Sequence, residues 1–314
     1  MTLHLPGYQQ GFLLVQQMVT LLLSALLILM LSSALGVHWR AFQQQSQLTF
    51  LHQTAVQTHA LLQRELDNSS FWAGLRVSQL VPSLAMVSGD CPSAAPDSGS
   101  FPKHAQQWLP FFAGTVGAAT TPVCLTNAVK QSDFIQLKHL AGDPLSVTDL
   151  RSNRAYLQQD GLTGRFVKSG DAGLRAQSWY WPYQHELYYI ATQTLAGDSI
   201  PVLMRKRLVR NAQGNFVMDT SAILDGVELL AVELGLDQDG DGQTEQFIPA
   251  SQLTAGLWYQ SSRIRQVRYF VLLRALQPEP GYRNQQLYQL GQRQFQPKGD
   301  PYRRLLISSS VLLE

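Results

Sequence analysis

The pattern of apolar and polar positions divides the chain into three stretches. From Phe12 to Val37 no charged residue interrupts an apolar run of about 26 residues, which ends just before His38, Trp39 and Arg40. A hydrocarbon layer needs about 20 residues at about 1.5 Å each, so this run predicts a membrane-crossing helix near the N-terminus. No proline occurs between Pro6 and Pro82, and the helix is expected to continue outward. Leu48, Leu51, Ala55, Thr58, Leu62 and Leu66 recur at steps of three or four and share one face, while Gln43, Gln44, Gln45, Gln47, Gln53, Gln57 and Gln63 surround the remainder. Asp67-Asn68-Ser69-Ser70 then supplies the stop. A helix from Phe12 to Leu66 would be about 80 Å long.

Residues 71–186 form the second stretch, rich in loop signals. Only 133–140 alternates like a strand, and 108–112 fits strand or helix equally. From Glu186 the period becomes two: 187–194, 201–209, 227–236, 263–276 and 303–313 read as strands joined by Gly, Asn, Asp and Pro clusters. Their short connections favour antiparallel pairing over a βαβ arrangement with helical crossovers. The predicted fold is therefore α+β, a long helix packed on an antiparallel sheet with a loop-rich insertion. Its segments are 1–11 as a leader, 12–66 as the helix and 67–314 as a globular head.

Composition narrows the function. With 314 residues, 45% hydrophobic and 15% charged, the chain can bury one good core or two small ones, and a net charge of +2 argues against a dedicated nucleic-acid surface. Cys91 and Cys124 lie in Pro/Ser/Gly/Thr-rich surroundings. An oxidising compartment would join them in a disulfide, with two free thiols as the alternative.

Asp237, Asp239 and Asp241, with Gly242, match the first half of a calcium loop, and Glu245 stands at its ninth position. The twelfth position is Ile248, so the bidentate Glu is missing; weak calcium binding and a plain acidic hairpin turn are the two readings. His185-Glu186 begins a zinc-protease pattern whose fifth position is Tyr189, and Ser100 with Lys103 fits S-x-x-K without the companion motifs. No P-loop, nucleophile elbow or dinucleotide fingerprint is present, and an enzyme is not expected. Arg205, Lys206, Arg207 and Arg210 read as a solvated strand face or an anionic-surface site. Trp179, Tyr180, Trp181, Tyr183, Tyr188 and Tyr189 read as core for at least half their number, or as a protein interface.

The N-terminus resembles a type IV prepilin. Gly11-Phe12 matches the peptidase junction, with Met1 to Gly11 as leader, Phe12 as the methylated first residue and Leu13-Leu14-Val15 opening the helix. The leader carries only His4 in place of basic residues, and Gln16, beside Gln17, replaces the acidic fifth residue. A Gln cannot neutralise a neighbour's amine inside lipid, which would suit a subunit at the fibre tip. An uncleaved signal anchor is the alternative.

The C-terminal half is similar to the PilW family of minor pilins. The resemblance rests on Val202-Leu203-Met204-Arg205, Leu224-Asp225-Gly226-Val227-Glu228, the strand Val267 to Arg274, Asp300-Pro301-Tyr302-Arg303-Arg304, and the ending Val311-Leu312-Leu313-Glu314. It implies a minor pilin that primes assembly at or near the fibre tip. Its partners would be prepilin peptidase, other minor pilins, the major pilin and a PilY-type tip adhesin. The protein would cross the inner membrane of a Gram-negative cell once, with its head in the periplasm, and then enter the pilus. A type II secretion pseudopilin and a membrane-anchored periplasmic adhesion or binding protein are the competing readings.

Overall fold

The structure, a computed structural model, describes residues 9–93, 97–104, 107–195, 197–260 and 263–313. Met1 to Tyr8 of the expected leader lie outside the described residues. The chain divides into two compact units, 1–49 and 50–314.

The first unit carries the beginning of helix α1 (Gln9–Asn68). Its most apolar 18-residue window has a mean hydropathy of 2.4, and α1 is long and apolar enough to cross a membrane. The hydroxyls of Thr20, Ser24 and Ser33 donate to the carbonyls of Gln17, Leu21 and Met30, one turn back. In lipid such back-bonding gives each of these three hydroxyls a partner. Gln16 and Gln17 are exposed, as is Leu48, which the stripe had placed on the packed face.

In the second unit the rest of α1 buries Leu51, Ala55, Thr58, Leu62 and Leu66, at the expected spacing, together with Thr54 and Glu65, and Ser69 just past its end is buried too. The Ser69 amide bonds the Leu66 carbonyl as the helix ends. The strands follow as β1 (Val87–Ser88), β2 (Phe111–Thr115), β3 (Asp133–Leu140), β4 (Ala155–Asp160), β5 (Thr163–Lys168), β6 (Trp179–Leu195), β7 (Asp198–Arg210), β8 (Phe216–Asp225), β9 (Val227–Leu236), β10 (Gln246–Pro249), β11 (Ile264–Arg274), β12 (Tyr288–Leu290), β13 (Arg293–Phe295) and β14 (Arg304–Leu312). The expected loop-rich insertion thus contains five strands and the start of a sixth. The ambiguous 108–112 piece ends in strand β2, and β8 was missed altogether.

Eight strands form one sheet in the order β1-β8-β7-β6-β3-β2, with β4 and β5 branching from β6; four form a second in the order β10-β9-β11-β14. All pairings are antiparallel except the two-residue β1–β8 contact. The long strand β6 makes the branch possible. β7 follows it from Leu195 to Glu186, and β4 takes over at Tyr183, bridged by the Arg210 amide donating to the Asn153 carbonyl. One large core joins α1 to both sheets. A smaller one, built on Ala231, Leu272, Tyr288 and Leu290, lies where the β12–β13 hairpin covers the four-stranded sheet.

Candidate functional site

The C-terminal signature residues, distant in sequence, converge in space. Arg304, its side chain 1% exposed, donates through Nε and Nη2 to Glu228 at 2.6 and 2.9 Å, and through Nη1 and Nη2 to Asp300 at 2.7 Å each. This guanidinium is pinned between two carboxylates in fork geometry, the strongest form of the pairing. Its hydrogen bonds to Asp300 hold that carboxyl below its ordinary range. Arg274 lies 3.9 Å from Glu228, stacks on Tyr302 with its guanidinium 4.5 Å from the ring centre, and donates to the Ser199 carbonyl.

Gly226 turns the chain between β8 and β9 at φ +81°. A Cβ there would sit 2.8 Å from the Arg274 carbonyl oxygen and 2.9 Å from the Phe50 ring, so only glycine fits. Beside this clasp Arg303 pairs with Glu279, and Asn284 donates to the Tyr288 hydroxyl and the Tyr302 carbonyl. The clasp fastens β14 and the segment before it to β9; its acids and bases are spent on each other and present no reactive group.

A second convergence lies under β3 and β6. Ser100 Oγ donates to Asp90 at 2.6 Å and sits 2.8 Å from His185 Nδ1, while Gln136 Nε2 lies 2.8 Å from His185 Nε2. An amide nitrogen can only donate, so Nε2 accepts, Nδ1 carries the proton, and the imidazole is neutral. Burial holds its pKa well below the ordinary value. The aspartate here contacts the serine rather than the histidine, and Ser100 and His185 are fully buried. His185-Glu186 lies on a strand and not on a helix, and Lys103 is exposed, so neither short catalytic pattern assembles. The roof over this network is formed by residues 90–93, 97–104 and 107–109. Cys91 and Cys124 fasten it in a disulfide, Cα–Cα 5.0 Å, and Lys138, fully buried, donates to the Leu109 carbonyl. Burial lowers the Lys138 pKa to about 7.

On the other face of β6, toward α1, Glu186 is 2% exposed and receives Arg207 at 3.1 Å, Arg205 at 3.6 Å and the Tyr188 hydroxyl. The basic cluster is therefore not one surface. Strand alternation turns Arg205 and Arg207 inward to Glu186, whereas Lys206 donates to Thr220 on the opposite face. Glu65 of α1 faces the same carboxylate. Desolvation, then the charge of Glu186, raises its pKa, and its Oε2 is buried without a partner while Arg64 binds Oε1. His139 of β3 completes the group, its pKa lowered by burial to about 4. No sequence signal marked Glu65 or His139, and Glu186 was marked only as part of the zinc-protease pattern, since each occupies a position that would normally be apolar.

Asp237, Asp239, Asp241 and Glu245 come together, with one oxygen from each within 4.8 Å of the others. Asp237 accepts from the amides of Gly240 and Gly242 and from Arg265. Glu245 accepts from the Gln238 amide. Ile248 belongs to β10, opposite Leu234, and takes no part. Four convergent carboxylates suit a hard cation, although the loop's own amides already engage them. Of the aromatic group, Tyr180, Tyr183, Tyr188 and Tyr189 are buried and Trp179 is 59% exposed; Trp181 packs edge-on against Phe71.

Residues 187–314 match a family model described as Type IV Pilus-assembly protein W. No curated protein and no solved structure matched the chain. The matched residues contain Glu228, Arg274, Asp300 and Arg304, so the clasp lies wholly within the family's segment. Over this segment, less than half of the chain, the protein is similar to the PilW family of type IV pilus-assembly proteins.

Proposed function

We propose that this protein is a non-catalytic minor pilin that primes pilus assembly and sits at or near the fibre tip. The observation that carries the reading is the pairing of two features in one chain. A helix apolar enough to cross a membrane opens it, and a PilW-type head follows. In the reading, peptidase cuts after Gly11, Phe12 becomes the methylated N-terminus, and the apolar part of α1 moves from the inner membrane into a bundle of like helices. Gln16 makes that step independent of a charge pair with a neighbour's amine. The head selects the partners: other minor pilins, the major pilin and a PilY-type adhesin.

Mass spectrometry of protein recovered from cells tests the first step. A mature chain beginning with N-methylated Phe12 is expected, and a chain still beginning at Met1 would overturn the reading. Deleting the gene tests the second: twitching or DNA uptake should be lost with exoprotein export intact. Lost export with intact pili would instead identify a secretion pseudopilin.

A further inference from the structure

The loop before β1, the end of β5 with the turn after it, and the turn between β7 and β8 meet around a cleft of about 410 Å³. Its wall is aromatic. Phe101, Phe166 and Phe216 line it, and the Phe101 ring makes edge-to-face contact with both others at 5.2 Å between centres. Phe166 reaches inward to Tyr183 and Trp108, so the aromatic cluster of the core comes to the surface here. Phe166 and Phe216 are half-buried, and the Arg210 guanidinium lies 6.0 Å from the Phe216 ring centre. Ala85 and Met86, both exposed, stand at the mouth.

The polar groups of the cleft are fixed in place but not used up. Asp171 accepts from the Lys168 amide through one carboxylate oxygen, and Asn211 accepts from the Asn215 amide, so both turns are held by their backbones. The Lys168 ammonium, the Asn215 carboxamide and the second oxygen of Asp171 have no partner among the described residues. An apolar wall with a few oriented polar groups is the usual make-up of a small-ligand pocket. The charges narrow the ligand further. A simple anion would meet Asp171 and a simple cation would meet Lys168, each at a cost. An uncharged ligand with several hydroxyls can donate to Asp171, accept from Lys168 and do both with Asn215. Its body must also carry an apolar face, because the exposed parts of the phenyl rings gain only from leaving water. A pyranose ring has both, C–H groups on a face and hydroxyls around the rim.

We propose that this cleft binds a neutral sugar, with a C–H face of the ring on the phenyl wall and its hydroxyls on Lys168, Asp171 and Asn215. The polar groups are already oriented by their turns, so little ordering is needed on binding. The site lies in the second unit and depends on neither the leader nor a place in the fibre.

Saturation-transfer NMR on the full chain in lipid nanodiscs, prepared without sugar-headed detergent, tests the site. The probes are the methyl glycosides of glucose, galactose, mannose and N-acetylglucosamine, with free phenylalanine as a zwitterion that would also match the two charges. At least one glycoside is expected to receive saturation, most strongly at its ring C–H protons, with a Kd of about 1 mM. K168A/N215A should weaken that binding about tenfold, the loss expected for two hydrogen bonds, while K298A, an exposed change outside the cleft, should leave it unaltered. Neither Lys168 nor Asn215 uses its side chain inside the fold, and an unchanged melting temperature checks that the double variant is intact. No transfer to any glycoside at about 20 mM would overturn the proposal, as would transfer that the double variant retains in full or tighter binding of phenylalanine than of every glycoside. None of these outcomes bears on whether the leader is cut after Gly11.

Discussion

In the eight-stranded sheet Gln136, Lys138, His139, His185 and Glu186 are polar residues buried on adjacent strands, sealed by a roof segment on one face and by α1 on the other. In the four-stranded sheet the charges are paired with opposite charges: Arg304 joins Glu228 to Asp300, and Glu233 of β9 pairs with Arg268 of β11. The first arrangement depends on excluding water from groups that would rather be hydrated; the second depends on matched opposite charges. The two regions should therefore fail under different challenges.

The largest effect is expected at the roof. A disulfide spanning 33 residues removes about 4 kcal/mol of loop-closure entropy from the unfolded chain. C91A/C124A should lower stability by about that amount in urea titrations of the detergent-solubilised protein. A loss confined to a few tenths would mean that the polar network holds its roof unaided. At the clasp, Arg304→Met strands two carboxylates and is expected to cost about 3 kcal/mol. Adding E228Q and D300N should return more than half of it; no recovery would show that Arg304 acts through packing alone.

Acid separates the regions further. His139 titrates near 4 in the fold against about 6.5 when unfolded, so the unfolded chain binds the extra proton first. Its contribution is complete above the unfolded value and is lost as pH falls toward 4, about 3 kcal/mol in all. H139Q should flatten that arm of the stability profile, measured by melting temperature against pH. Glu65 has the opposite sign. Its raised pKa means that the fold holds the proton more tightly, so its stabilisation is present below the ordinary carboxylate value and fades as pH rises through the raised one. Relative to E65Q, the wild type should lose stability as pH rises above the ordinary carboxylate range; parallel profiles would remove Glu65 from the account.

The smallest effect concerns the loop after β9. Calcium at its dissociation constant would add about 0.4 kcal/mol. D239N/D241N should abolish that increment, and an increment that survives the double change would place the ion elsewhere.

The same comparison explains what could be read from the chain. β9 was legible to the residue, and β11 and β14 to within two, because one face of each strand is apolar and their pairing follows short connections. β8 gave no signal, since Asp219, Thr220 and Ser221 interrupt a half-buried strand that presents no apolar stripe. In β3 and β6 the burial of Lys138, His185 and Glu186 contradicts the usual rule that such residues face water, and only long-range partners make it tolerable. The clasp was visible as motifs but not as a contact, because Glu228 and Arg304 lie 76 residues apart and no local pattern encodes their meeting.

In the apolar part of α1 the hydroxyls of Thr20, Ser24 and Ser33 fold back onto carbonyls one turn earlier, and this evens the helix surface at those positions. An acyl chain or another helix laid against Thr20, Ser24 or Ser33 meets hydrocarbon with no outward demand for a proton donor or acceptor. At these three positions the helix can exchange one oily environment for another without giving up a polar contact.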